Sequence, residues 1–234
     1  MDLKRDIYQD LLAWKSRENH KVLELEGARQ VGKTYILDKF ARQEYKQYIY
    51  INMIGSAGRD FLLCLEKAAA WEPGQKREEN PVYKAFQLFD PDFIDSDELL
   101  IVIDEIQESA VVYSRIREFA RNFRAHFVVT GSYLGKTREK EYFISAGDVL
   151  PLTMTTLTFP EFLDAFGRRE LYDMVELYGA SDHAVYDELR SYFMIYLQIG
   201  GYPEVVTTYL DTRSIPECTA VIGRLIRTFV KESS

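Results

Sequence analysis

Two cysteines in 234 residues, Cys64 and Cys218, are too few for a disulfide framework. Both sit in apolar helical patterns, where buried thiols are expected rather than a bridge. Three histidines are present, and no Cys/His spacing has the form of a metal site. Apolar runs such as Leu99–Ile103 are far short of the about 20 residues that a bilayer span needs. The opening Met-Asp-Leu-Lys-Arg-Asp lacks the apolar core of a secretory signal. Basic charge is in deficit, with 29 Lys and Arg against 37 Asp and Glu, a net charge of −8. That argues against a broad nucleic-acid face, while leaving room for a local basic patch. Repeats and low-complexity segments are absent too. A soluble, reducing, cytoplasmic setting without membrane contact is the expectation.

What is present begins with an apolar content of 47%, enough for a sizeable core. Gly27-Ala28-Arg29-Gln30-Val31-Gly32-Lys33-Thr34 reads G-x-x-x-x-G-K-[ST], the phosphate-binding loop. Gly27 and Gly32 permit backbone angles and close approach that a β-carbon would block. Successive N–H groups can then cradle phosphate oxygens, with Tyr35 following the cradle. Lys33 supplies a point charge for β- and γ-phosphates, and the Thr34 hydroxyl a ligand for Mg²⁺. The flanks agree. Val22-Leu23-Glu24-Leu25-Glu26 reads as a strand, and Ile36, Leu37, Phe40 and Ala41 have helical spacing. Glu24 and Glu26 are odd in a central strand, and the pattern leaves their placement open, with the solvent-facing edge as one solution.

Taken in order, residues 3–18 read as a helix, with Leu3, Ile7, Leu11 and Trp14 on one face and Asp2 as its cap. Residues 46–52 alternate and end polar, a second strand. Residues 59–70 look helical, 72–81 read as a charged surface loop, and a short helix follows near 82–89.

Leu99-Leu100-Ile101-Val102-Ile103-Asp104-Glu105 is the second strong signal. A continuously apolar strand suits a parallel sheet covered on both faces. Ligands bind at the carboxyl ends of such strands. In one sheet with a phosphate loop, Asp104 is expected to hold Mg²⁺ and Glu105 to orient or deprotonate an attacking water. The bland alternative is a solvated pair of acids. Seventy residues separate Thr34 from Asp104, with a strand-like segment between. That leaves room for a strand inserted between the two motif strands, the arrangement of nucleotide hydrolases rather than small-molecule kinases.

Residues 109–124 read as one amphipathic helix with Val112, Ile116, Phe119, Ala120 and Phe123 inward and Arg115, Arg117, Arg121 and Arg124 outward. His126–Ser132 is another apolar strand, whose Thr130 or Ser132 could sense a γ-phosphate or hold water. Residues 148–152 read as a last strand. From Thr158-Phe159-Pro160 the strand signals stop. Helices are expected around Phe162–Phe166, around Val185–Tyr196, and from Pro203 and Pro216. The organisation expected is a nucleotide-binding domain over 1–157 and a helical lid over 158–234.

Five segments in this order, "GARQVGKT", "LLIVIDEIQ", "VVTGSYL", "LTFPEFL" and "IGGYPEVV", resemble a prokaryotic AAA+-type ATPase family related to the STAND signalling ATPases. The first two are shared by many ATPases; the last two are more telling. The resemblance covers most of the chain. It implies a three-layer αβα fold of the P-loop NTPase class, with a parallel sheet of order 5-1-4-3-2, a small helical lid, and ATP or ADP with Mg²⁺. It implies a polar sensor at Thr130 or Ser132, and an adenine-side position for Pro203 in Gly201-Tyr202-Pro203, which reads equally as a turn before a helix. Arg138 is a candidate trans-acting finger, with Arg115 and Arg121 as rivals. A homo-oligomer or a protein partner is implied. Family members commonly continue into a further domain, so a chain ending at Lys231-Glu232-Ser233-Ser234 is expected to stop short of one.

Overall fold

The computed structural model describes residues 2–18, 21–70, 80–131, 147–176 and 183–232. By compactness the chain divides into two units. One comprises Tyr8–Gly27 and Lys33–Met154, the other Met1–Ile7, Ala28–Gly32 and Thr155–Ser234.

The larger unit is a five-stranded parallel sheet with helices packed against it. Its elements are α1 (Ile7–Lys15), β1 (Val22–Glu26), α2 (Lys33–Glu44), β2 (Gln47–Asn52), α3 (Ser56–Ala69) and α4 (Pro81–Phe89). Then come β3 (Leu99–Asp104), a 3₁₀ turn (Ile106–Glu108), α5 (Ala110–Tyr113), α6 (Ile116–Asn122), β4 (His126–Gly131) and β5 (Val149–Thr153). The strand order is β2-β3-β4-β1-β5, which read from the other edge is the expected 5-1-4-3-2. All pairings are parallel. The strand between β1 and β3 is β4, which follows β3 in the chain. The segment lying between Thr34 and Asp104 in sequence, β2, instead takes the edge beyond β3.

Strand alternation sorts the core onto two faces. Ile49, Ile51, Leu99, Ile101, Ile103, Phe127 and Val129 join Phe61, Phe86, Val112, Ile116 and Phe119 from α3 to α6 in one buried cluster. Phe119 stacks on Phe127 with centroids 4.7 Å apart. His126, opposite in parity to Phe127, meets Trp14 of α1 at 5.3 Å, and Trp14 in turn meets Phe40 of α2. Every residue of β3 is buried, as its unbroken apolar run requires. Glu24 and Glu26 are half-buried on β1, a strand paired on both sides. Burial, then the neighbouring Glu26, raises the pKa of Glu24.

Two local expectations change. The helix expected over 109–124 is broken into α5 and α6. Ser109 caps α5 by accepting from Val112 N, while Ser114 Oγ donates to Val111 O at 2.9 Å, drawing the carbonyl that the next turn would use. Arg115 N then bonds Val112 O in a tighter 3₁₀ closure. The helix expected over 3–18 starts only at Ile7. Asp6 N donates to Glu161 Oε1 at 2.7 Å, a tertiary bond in place of a capping one from Asp2. The thiols of Cys64 and Cys218 are unbridged, the first half-buried and the second buried. The expected loop at 72–81 falls almost wholly outside the described residues.

The smaller unit is helical: α7 (Phe159–Ala165), α8 (Glu170–Asp173), α9 (His183–Ile199), α10 (Pro203–Thr212) and α11 (Ile215–Glu232). Leu3, Leu157, Phe162, Ile199, Val205, Val206, Cys218, Val221 and Leu225 form its core. Prolines stand in the first turns of α7 and α10, where a missing N–H costs nothing. Among the described residues no helix is long and apolar enough to cross a membrane.

Candidate functional site

Parallel strands put like ends together, so the residues closing β1, β3 and β4 share one end of the sheet. Register pairs Asn52 with Asp104 and Glu26 with Gly131. Gly27 therefore leaves β1 at the end where Asp104, Glu105 and Thr130 lie.

Gly27 has φ +149°, and a β-carbon there would stand 2.2 Å from the Met154 carbonyl oxygen. No side chain fits. Gln30 at φ 62° and Gly32 at φ 100° also take positive angles, so the turn alternates in hand. Such alternation turns successive N–H groups toward a common concavity. Lys33 opens α2, a helix with no acid in its first turn to offset its positive end. The Lys33 side chain is buried, and Nζ donates to Gly27 O at 2.7 Å. Its ammonium is thus folded back over the turn.

Asp104 ends β3 and is only 6% exposed. Its carboxylate gathers donors from four directions. Tyr50 Oη donates to Oδ2 at 2.5 Å and Glu105 N to Oδ1 at 3.0 Å. The hydroxyls of Thr34 and Thr130 stand 3.4 Å from Oδ2 and Oδ1 respectively. That is long for a hydroxyl–carboxylate bond. It is close to the roughly 3 Å between oxygens that share one octahedral Mg²⁺. The donor set, all hard oxygen, fits Mg²⁺ held through Asp104 and Thr34 with water completing the shell. Among the described residues no cluster of three or more His, Cys, Asp or Glu would hold a metal with protein ligands alone.

Glu105 takes φ 54°, a left-handed conformation costly for a residue with a β-carbon. Gln107 Nε2, from the buried 3₁₀ turn that follows, donates to Glu105 Oε2 at 2.5 Å. The strand-end acid is thereby aimed by a neutral amide.

The structure brings together Lys33, Thr34, Asp104, Glu105 and Thr130. Tyr35 is exposed at the first turn of α2. Ser132 and Arg138 lie outside the described residues. Arg115 pairs with Glu118, and Arg121 grips Asp148 through two nitrogens. Gly201 and Pro203 belong to the smaller unit. A β-carbon on Gly201 would meet the Leu157 carbonyl at 2.1 Å, and Gly201 O accepts from Leu157 N at 2.7 Å. Pro203 opens α10 behind Tyr202. The Gly-Gly-Tyr-Pro signal thus has a complete structural account as a backbone clamp and helix start.

Two residues escaped the sequence reading. Tyr50 was visible only as one aromatic in an alternating strand, and its meeting with Asp104 depends on which strand lies beside β3. Burial, then the bond to Asp104, pushes its phenol up to about 12. Gln107 follows the acid pair by two residues, but only the left-handed Glu105 swings the two side chains together.

Solved structures similar to the chain include the following three. Drosophila ORC bound to DNA is 12% identical with a TM-score of 0.47, over 94% of this chain and 66% of that one. C. elegans PCH-2 is 14% identical with a TM-score of 0.46, over 92% and 65%. The Aeropyrum pernix ORC2 protein, as ADPNP-ADP complexes, is 16% identical with a TM-score of 0.38, over 70% and 48%. The chain spans less than two thirds of the length of each. None of the curated proteins matches it. A family model described as "AAA domain" matches residues 19–163, from just before β1 into α7. With the Gly27–Thr34 turn, the Asp104–Glu105 pair and the parallel sheet all inside that match, the chain belongs to the AAA domain family of nucleotide-binding ATPases.

Proposed function

We propose that this protein is a Mg²⁺-dependent ATPase that couples nucleotide state to a conformational change in its helical unit. The observation that carries the reading is the 3.4 Å approach of the Thr34 hydroxyl to the Asp104 carboxylate. Two motifs distant in sequence then offer one metal-bound triphosphate a common site. The N–H groups of the Gly27–Gly32 turn would cradle the phosphates, Lys33 would neutralise charge developing on the γ-phosphoryl group, and Thr34 with Asp104 would hold Mg²⁺. Glu105 would position the attacking water, with Thr130 beside it. ATP rather than GTP rests on the family, since no Asn-Lys-x-Asp base-reading motif occurs.

The test is phosphate release by wild type and Glu105→Gln, beside calorimetry with ATP, ADP and GTP, with and without Mg²⁺, on wild type and Lys33→Ala. Binding that needs Mg²⁺ and Lys33, with release lost in Glu105→Gln, is expected. Equal release by the two forms, well above a blank, removes Glu105 from the chemistry.

A second reading, a slowly hydrolysing switch that recruits a protein partner or a second copy, is favoured by one observation. Gln107 holds Glu105 through a short hydrogen bond to Oε2, which restrains the carboxylate and engages one of its two oxygens. Tight binding with turnover slower than minutes supports it. The acidic net charge of −8 speaks against nucleic acid as the partner.

A further inference from the structure

The Thr158–Leu163 stretch has so far no part in the chemistry. Thr158 and Glu161 form a capping box at the start of α7: Thr158 N donates to Glu161 Oε2 at 2.8 Å and Glu161 N to Thr158 Oγ1 at 3.4 Å. A capping box uses one side of its carboxylate and sits in water. Here the Glu161 carboxylate is buried and uses both. Glu161 Oε1 accepts from Asp6 N at 2.7 Å and from Arg5 Nε at 3.1 Å. The Arg5 and Glu161 side chains are 6% and 4% exposed.

Burying an ion pair costs desolvation that the pair alone seldom recovers, so the remaining donors must be placed well. Arg5 Nη2 donates to Thr155 O at 2.6 Å, and Nη1 donates to Val31 O at 2.9 Å. The last contact reaches the phosphate loop. A peptide group is planar, so holding the Val31 carbonyl fixes the Gly32 N–H that shares its plane and points the opposite way. Gly32 sits at φ 100°, where only glycine is at ease, and a peptide next to glycine flips cheaply. That N–H belongs to the turn proposed to cradle phosphate.

We infer that Arg5 is a positioning residue for the nucleotide site: it locks the Val31–Gly32 peptide in the orientation that aims Gly32 N–H into the cradle, and Glu161 holds Arg5 in place from α7. The inference rests on the nucleotide reading and adds its regulation, because any movement of α7 that releases Glu161 also frees the loop. A planar fork is required. Lysine offers one nitrogen, which cannot serve Glu161, Thr155 and Val31 from fixed directions.

The experiment measures hydrogen exchange in the peptide spanning 27–34, and calorimetric affinity for Mg-ATP and for adenosine. The proteins are wild type, Arg5→Lys, Arg5→Met, Glu161→Gln and Lys33→Ala. Faster exchange over 27–34 with β3 unchanged is expected in the Arg5 variants. Mg-ATP affinity falls by about tenfold, the worth of one charge-assisted hydrogen bond, while adenosine affinity holds within about twofold. Glu161→Gln shows a smaller loss of the same kind and carries the comparison if Arg5→Met does not fold. Unchanged exchange and Mg-ATP affinity in folded Arg5→Lys overturn the inference, as do equal losses for Mg-ATP and adenosine. Lys33→Ala separates the two claims. Mg-ATP binding lost there and kept in the Arg5 variants sinks only the role of Arg5; no Mg-ATP binding by wild type sinks the nucleotide reading and this inference with it.

Discussion

Tyr50 Oη donates to Asp104 Oδ2 at 2.5 Å, a side-chain bond between adjacent parallel strands at the end of the sheet where β3 turns into Glu105. It is the shortest of the contacts to that carboxylate and fixes which way its oxygens face. Tyr50→Phe should destabilise the fold by about 1.5–3 kcal/mol, the range for a hydrogen bond to a charged group. It should also raise the Mg²⁺ concentration needed for half-maximal nucleotide binding. Denaturant unfolding and a Mg²⁺ titration check the two effects separately.

Alkaline titration gives an independent check. The phenols of Tyr50 and Tyr8 are each pushed up to about 12, first by burial and then by hydrogen bonds to Asp104 and Glu44 respectively. A pKa raised in the folded state means that the neutral form is favoured there. The stability this provides is complete below the ordinary value of 10.0 and is lost as pH climbs from 10.0 to about 12. Phenolate absorbance should show a late group of tyrosines, one fewer in Tyr50→Phe.

Gln107 sets a prediction about rate. If its amide restrains Glu105, then Gln107→Ala should raise basal phosphate release by about tenfold, a fraction of the roughly hundredfold or more that one positioned acid–base group contributes. Steady-state release at saturating Mg-ATP measures this. A fall instead would make Gln107 an aid to Glu105 rather than a restraint.

Glu24 offers a stabilising substitution. Burial and the adjacent Glu26 raise its pKa, so its charged form is penalised in the folded protein. That stability is present below the ordinary carboxylate value of 4.5 and is lost as pH rises through the raised one. Glu24→Gln should therefore raise Tm at neutral pH, on the order of 2 °C for a chain of this size. The gain should vanish in acid below the unfolded value. Thermal melts at two pH values decide it.

Gly200 and Gly201 should behave differently despite adjacency. A β-carbon on Gly201 meets the Leu157 backbone at 2.1 Å, whereas Gly200 faces open space and has only a positive φ of 71° to lose. Gly201→Ala should cost about 2–3 kcal/mol and Gly200→Ala about 1 kcal/mol. Chemical denaturation of the pair gives the order; equal costs would remove the clamp on Leu157 from the account.

Much of the fold was written locally. The unbroken apolar run Leu99–Ile103, the glycines of the phosphate loop and the prolines opening α7 and α10 each encode their element through neighbours a few residues away. The acid pair and Thr34 could be named from type and spacing alone. What was hidden depended on distant partners. No local pattern says that Glu161 draws Arg5 and Asp6 out of a helix, or that Ser114 breaks the one expected over 109–124.

The sequence by itself determined most of the elements and which polar residues stand at their ends, because hydrophobic period, helix caps and turn residues act over a handful of positions. Tertiary structure alone decided that Tyr50 reaches Asp104, and that Arg5 grips the Val31 carbonyl. Those outcomes follow from strand order and burial, where a charged or polar group takes whichever partner the packing supplies, however far along the chain it lies.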